Sequence, residues 1–191
     1  MDTALPVECF FDFTDPLSYL LHQSLSPHEE GGEVAVRWVP VELRPPPRPM
    51  LSPRDPGWAS RWQEALSASD PGELREPLLL PWTRKAHELV LYGSEHGLDA
   101  ALRAALFRAF WKEGADIGRI DVLVALATEL GLDRTEAKAT LDVDRYTARV
   151  AEGARRAREM DVHRIPTLVR GAARLEGFHS RPAVGTFLFG S

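Results

Sequence analysis

The sequence predicts an α/β fold in which one sheet is assembled from both ends of the chain around an all-helical insertion. Three observations carry this reading. A strand, helix and strand follow one another between residues 6 and 43, helical periodicity fills the middle, and two strands and a helix return from Ile165 onward. The boundaries that follow are 1–44 for the first half of the sheet-bearing domain, 45–143 for the helical insertion and 144–191 for the second half.

Residues 6–13 place Val7, Cys9, Phe11 and Phe13 on one face and Phe10 on the other, as expected of a strand covered on both sides. Thr14-Asp15-Pro16 is a strand-to-helix turn, and residues 16–25 form the first helix. VAVRWVPVEL, residues 34–43, has the composition of a second strand, and Pro40, with no N–H to donate, marks an edge or an ending. These elements make a βαβ unit. RPPPRPMLSPRDP, residues 44–56, holds too many prolines for regular structure and reads as an extended connector. Helices are predicted over 57–68, 82–96, 98–113, 119–131, 133–141 and 144–160, with Gly97, Gly114 and Gly131 as C-terminal caps. IPTLVRG and AARLEGF form a hairpin through Gly171, and a closing helix starts near Arg181.

Composition excludes several function classes. The chain has 191 residues, 23 basic against 28 acidic and a net charge of −5, with its longest acid-free basic stretch (Arg44 to Arg54) broken by prolines, so no nucleic-acid partner is expected. No segment approaches the roughly 18 apolar residues of a membrane span, and the start, MDTALPVECFF, lacks a basic region before an apolar run; no membrane partner and a cytoplasmic location are expected. Cys9 is the only cysteine, which rules out an intramolecular disulfide, a Cys-x-x-Cys pair and a cysteine-based metal site. Mid-strand, it is expected to be buried and inert. No His/Asp/Glu spacing suggests another metal site.

FFDFTDPLSYL resembles the strand and Cys-Pro-x-Cys helix start of the DsbA-type thioredoxin-like proteins, with Asp15 where the first Cys would stand and Ser18 where the second would. RIPT, residues 164–167, is similar to that family's Val-Pro-Thr loop. TRKAHEL, LFRAFWKEGADIGRIDVL, LATELGLD and the ELRP after the second strand resemble the FrnE-like branch. The resemblance covers nearly the whole chain and implies a thioredoxin-like fold of oxidoreductase lineage with a helical insertion. It also implies a cis bond before Pro166 and an Ile165 backbone free to pair with an extended ligand. Relatives form homodimers, so a homodimer is a candidate state. A sister branch, the kappa-class glutathione transferases and hydroxychromene carboxylate isomerases, has Ser-Pro-x-Ser here and acts on or with glutathione, which makes glutathione the candidate cofactor.

Asp15 has two readings. As an N-cap followed by Pro16 it contributes about 1 kcal/mol and needs no function. As a functional group it is a general base or an acceptor for a ligand amine or hydroxyl. In either case it cannot exchange with a disulfide, and its negative charge works against a bound sulfur anion. Ser18 lies one turn on along the same side and could share a ligand with it. His22 continues that row but is expected at the surface. His87 and His163 are candidates to line the cleft, and His179 stands in EGFHSRP where the transferase branch keeps an acidic or polar residue for the ligand amine.

Dithiol–disulfide exchange is therefore not expected, and three functions remain open: a small-molecule or thiol-binding protein that keeps the cleft, a glutathione-dependent isomerase- or transferase-like enzyme using Asp15, and a non-catalytic peptide-binding or scaffold module. An enclosed pocket at Asp15, Ser18 and Ile165 favours the enzyme. A cleft filled by Trp38, Trp82 or Trp111 favours the scaffold.

Overall fold

A computed structural model describes residues 6–190. Its element order is β1 (Val7–Phe11), α1 (Pro16–Glu30), β2 (Val36–Pro40), α2 (Pro56–Ala68), α3 (Arg84–Ser94), α4 (Asp99–Arg108), α5 (Ile120–Glu129), α6 (Arg134–Asp142), α7 (Thr147–Glu159), β3 (Thr167–Arg170), β4 (Ala173–Glu176) and α8 (Arg181–Phe189). The four strands form one sheet in the order β2-β1-β3-β4, with β1 parallel to β2 and antiparallel to β3. The two ends of the chain thus meet at the β1–β3 ladder, where Cys9 faces Leu168.

The alternation read in β1 sorts onto two cores. Val7, Cys9, Phe11 and Phe13 join the large cluster that runs through α1 into the helical middle, whereas Phe10 packs on the other face with Val39, Ala157, Ile165 and Val169. Glu8 shares the Phe10 face because side chains alternate along a strand, and its carboxylate meets Arg156 of α7 at 2.9 Å. β2 is an edge strand that ends at Pro40. α7 approaches it closely: a Cβ on Gly153 would lie 2.0 Å from the Pro40 carbonyl oxygen. Gly171 turns the β3–β4 hairpin at φ 60°, a conformation that suits a residue without a Cβ.

Two helices depart from the sequence reading. α1 continues past Leu25 to Glu30 although Pro27 lies inside it. Proline there removes one intrahelical bond but keeps a helical φ, and the last turn is anchored because Glu29 accepts from Trp38 Nε1 at 3.0 Å and from Arg103 Nη2 at 3.0 and 3.1 Å. The span 98–113 is not uniform either: α4 gives way at Ala109 to a turn of π-helix, Ala109–Glu113, which ends at Gly114 in the left-handed region. The wider turn sets Trp111 into the core beneath α1.

Candidate functional site

The site lies where β1 stops and α1 begins. A strand that ends in the interior leaves carbonyls needing donors, and two indoles supply them: Trp111 Nε1 donates to the Phe13 carbonyl at 3.0 Å and Trp58 Nε1 to the Thr14 carbonyl at 3.2 Å. Trp62 lies between these two rings, stacked on Trp58 at 5.6 Å and on Trp111 at 6.0 Å between centroids, each with an interplanar angle of 11°. Three parallel indoles therefore fill the space beside the helix head.

Asp15 is the N-cap of α1 and its side chain is 0% exposed. Its Oδ2 accepts from the Ser18 backbone N–H at 2.9 Å and from Ser18 Oγ at 2.5 Å. Its Oδ1 accepts from Nε and Nη2 of Arg61 at 2.9 and 2.6 Å. A carboxylate offers about four lone-pair sites, so these four donors saturate it. Burial pushes the Asp15 carboxyl up, and Arg61 and Ser18 offset only part of that rise. Arg61 Nη2 also donates to the Ile165 carbonyl, and the Ile165–Pro166 peptide bond is cis. One guanidinium thus joins the helix head to the proline loop while 21% of the Arg61 side chain stays in solvent.

Beneath this clasp lies a second buried carboxylate. Asp12 Oδ1 accepts from the backbone N–H and the hydroxyl of Thr14, both at 2.8 Å, and Oδ2 accepts from Leu43 N–H at 2.9 Å and Thr83 Oγ1 at 2.8 Å. Burial alone would push Asp12 up, but His87 and the Thr14 bonds outweigh it and hold the carboxyl below its ordinary value. Asp12 therefore ties the end of β1 to the segment after β2 and to the start of α3.

The remaining candidates are dispersed. Asp15 and Ser18 are in direct contact, and Ile165 joins them through Arg61. His87 is buried against Phe11 and Phe13, with Nε2 3.9 Å from Asp12 Oδ2 and no hydrogen-bond partner, so it sits behind the helix head. His179 makes a local contact, its Nε2 lying 2.8 Å from the Glu176 carbonyl. His163 is exposed and paired with Asp161 at 2.8 Å. His22, expected at the surface, is instead 5% exposed and packed on Phe107 and Trp38. Burial, with Arg103 nearby, pulls its pKa down to about 3, so the ring is neutral at physiological pH. The row of Asp15, Ser18 and His22 runs into the core because α1 is covered on that side. Cys9 is fully buried, and burial drives its thiol well above the ordinary value.

Of the three tryptophans whose presence in a cleft would favour a scaffold, Trp111 is buried beside the helix head, Trp38 packs farther along α1 beside Glu29, and Trp82 is exposed at the surface. Sequence reasoning missed Arg61, Trp58 and Trp62. The available signal was the apolar stripe Trp58, Trp62 and Ala65 on α2, which places Arg61, three residues after Trp58, at the margin of a buried face. Asp12 was missed as well, although a lone acid inside the apolar run FFDF is itself a sign of a satisfied buried charge.

Among known proteins, the DSBA-like thioredoxin domain family model matches residues 6–184. The uncharacterized protein YwbO of Bacillus subtilis (strain 168) is 30% identical over 178 residues, covering 90% of this chain and 89% of its own. A probable DsbA oxidoreductase from Streptomyces coelicolor superposes with a TM-score of 0.76 at 22% identity, over 98% of this chain and 91% of that one. A 2-hydroxychromene-2-carboxylate isomerase gives a TM-score of 0.74 at 23% identity, over 96% and 92%. Identities this low make the two structural matches evidence of fold alone. With its sheet order, its helical middle and a family match spanning nearly all of its length, this chain belongs to the DSBA-like thioredoxin domain family.

Proposed function

We propose that this protein is a family member without disulfide-exchange activity that binds a small anionic ligand, such as a thiol compound, against Arg61 at the helix head. The supporting observation is the position of Arg61. It is bonded to Asp15 on one side and to the Ile165 carbonyl on the other, and it is part-exposed beside both. Exchange with a disulfide needs an attacking thiolate, and the helix head offers a saturated carboxylate while Cys9 is buried inside β1. Arg61 also changes the electrostatic case for glutathione. The negative charge of Asp15, taken alone, repels a sulfur anion, but a guanidinium at 2.6 Å neutralises it and remains 21% exposed. For Asp15 to act as acid or base on a substrate, as an isomerase-like reading requires, the Arg61 clasp must first open.

Thermal denaturation with glutathione and glutathione disulfide tests this reading, because a ligand that binds the native state raises the melting temperature by mass action. Wild type is expected to shift and Arg61→Gln is not. No shift with either compound, or an equal shift in the variant, would overturn the assignment. A scaffold role is the second reading, favoured by the Trp58–Trp62–Trp111 stack that fills the space beside Asp15.

A further inference from the structure

We propose that the cleft between β2 and helices α3 and α7 is a second ligand site, built for a small organic anion with an apolar body and held by Arg103 and Arg149. The cleft has a volume of about 290 Å³ and shares no lining residue with the helix head. This is the lower end of the range for small-molecule sites, roughly 300–1,000 Å³.

Arg103 lines it from α4 and is the built element. Its side chain is only 3% exposed, its guanidinium carbon lies 4.3 Å from the centroid of the Trp38 ring, and Nη2 goes to Glu29. Its buried Nε has no hydrogen-bond partner. A desolvated cation with an unused donor gains from an acceptor brought into the cleft, because the donor's desolvation is otherwise uncompensated.

Arg149, from α7, lines the same cleft and is exposed. Its guanidinium rests 5.6 Å from the Tyr146 ring centroid and, among the described residues, meets no carboxylate. The other two lining arginines are already engaged, since Arg37 and Arg156 both pair with Glu8. Two carboxylates also line the cleft: Glu152 is paired with Arg155 at 2.8 Å, while Asp99 makes no ion pair among the described residues and adds a negative charge near Arg103 that the free Arg149 must outweigh. Val90, Leu91 and Trp38 supply an apolar wall for the body of the ligand. An anionic head on the arginines with an aromatic or aliphatic body against that wall uses both features.

Phenylacetate is the probe, with phenethylamine as the same body carrying the opposite charge. Titration followed by tryptophan fluorescence and calorimetry is expected to show phenylacetate binding that weakens about tenfold or more in Arg149→Ala, the loss of one charge-assisted contact. Arg61→Gln is expected to leave it unchanged, and Trp38→Phe to remove the fluorescence response while calorimetric binding persists. Arg149 is exposed, so its alanine variant is expected to melt with wild type and to report on binding alone. Absence of phenylacetate binding, equal binding of phenethylamine, or full affinity in Arg149→Ala would overturn the proposal.

Discussion

Arg61 and Asp15 are joined by two hydrogen bonds to a single carboxylate oxygen, at 2.9 and 2.6 Å, across 46 residues of chain. The geometry forces a definite stability effect. Removing the cation leaves an enclosed carboxylate with only the two Ser18 donors, and breaking a buried pair in this way costs about 3–5 kcal/mol. Arg61 is part-exposed, so Arg61→Ala is expected at the lower end, about 3 kcal/mol by urea denaturation. Arg61→Ala in an Asp15→Asn background should cost much less, because no charge is then stranded. Equal losses in both backgrounds would show that Arg61 acts by packing alone.

The same position can be given sulfur chemistry. Residues 15 and 18 face each other at the first turn of α1, where free N–H groups and the helix dipole stabilise an anion. The double variant Asp15→Cys/Ser18→Cys is expected to form a disulfide and to reduce insulin in the presence of a thiol donor, and wild type is expected not to. Arg61 would then sit beside the new thiolate and keep its pKa low. Inactivity of a folded double variant would mean that the tryptophan stack and Arg61 close the site to protein disulfides.

Much of this architecture could be read from local pattern. The two faces of β1, the edge position of β2, and the glycines 97, 114 and 131, all at positive φ, follow from rules that involve a few neighbouring residues. The site was less legible because its contacts are between distant segments. Asp15 reads as a cap from its own neighbourhood, and it is one; that it is also half of a buried ion pair depends on how α2 packs against α1. Asp12 likewise draws Leu43 and Thr83 from 31 and 71 residues away. His22 was misplaced for the same reason, since only the packing of α4 over α1, seen at Phe107, tells that this face is covered.

Asp12 and Asp15 respond to pH with opposite signs. The folded pKa of Asp12 is depressed, so its contribution to stability is present above the unfolded value, about 3.9, and is lost as pH falls through the folded one. The folded pKa of Asp15 is raised, so the native state holds that proton more tightly and the group's contribution declines as pH rises from the unfolded value through the folded one. Asp12→Asn isolates the first effect. An amide cannot accept all four donors and presents its own N–H₂ to one pair, which costs about 3 kcal/mol at neutral pH. The gap between wild type and Asp12→Asn should shrink as pH is lowered below about 4, the ordinary carboxylate range. A gap that stays constant down to acid unfolding would mean that the Asp12 charge contributes nothing.

Gly153 holds the close approach of α7 to β2 and with it the wall of the arginine-lined cleft. A methyl group there would lie 2.0 Å from the Pro40 carbonyl oxygen and 3.0 Å from its carbon, and both belong to backbone that cannot rotate aside. Relief requires α7 to move off the edge strand, which pulls Ala157 from its contacts with Phe10 and Val39 and disturbs the Arg156–Glu8 pair. In a helix interior Ala is favoured over Gly by about 1 kcal/mol, so an uncrowded site would be stabilised by this change. Crowding of a packed core costs about 1–3 kcal/mol, and with rigid backbone as the obstacle the upper end applies. Gly153→Ala is therefore expected to lower stability by about 2 kcal/mol net. It should also weaken phenylacetate binding while leaving the Arg61-dependent response to glutathione in place. A variant as stable as wild type would show that α7 rides farther from Pro40 than this packing requires.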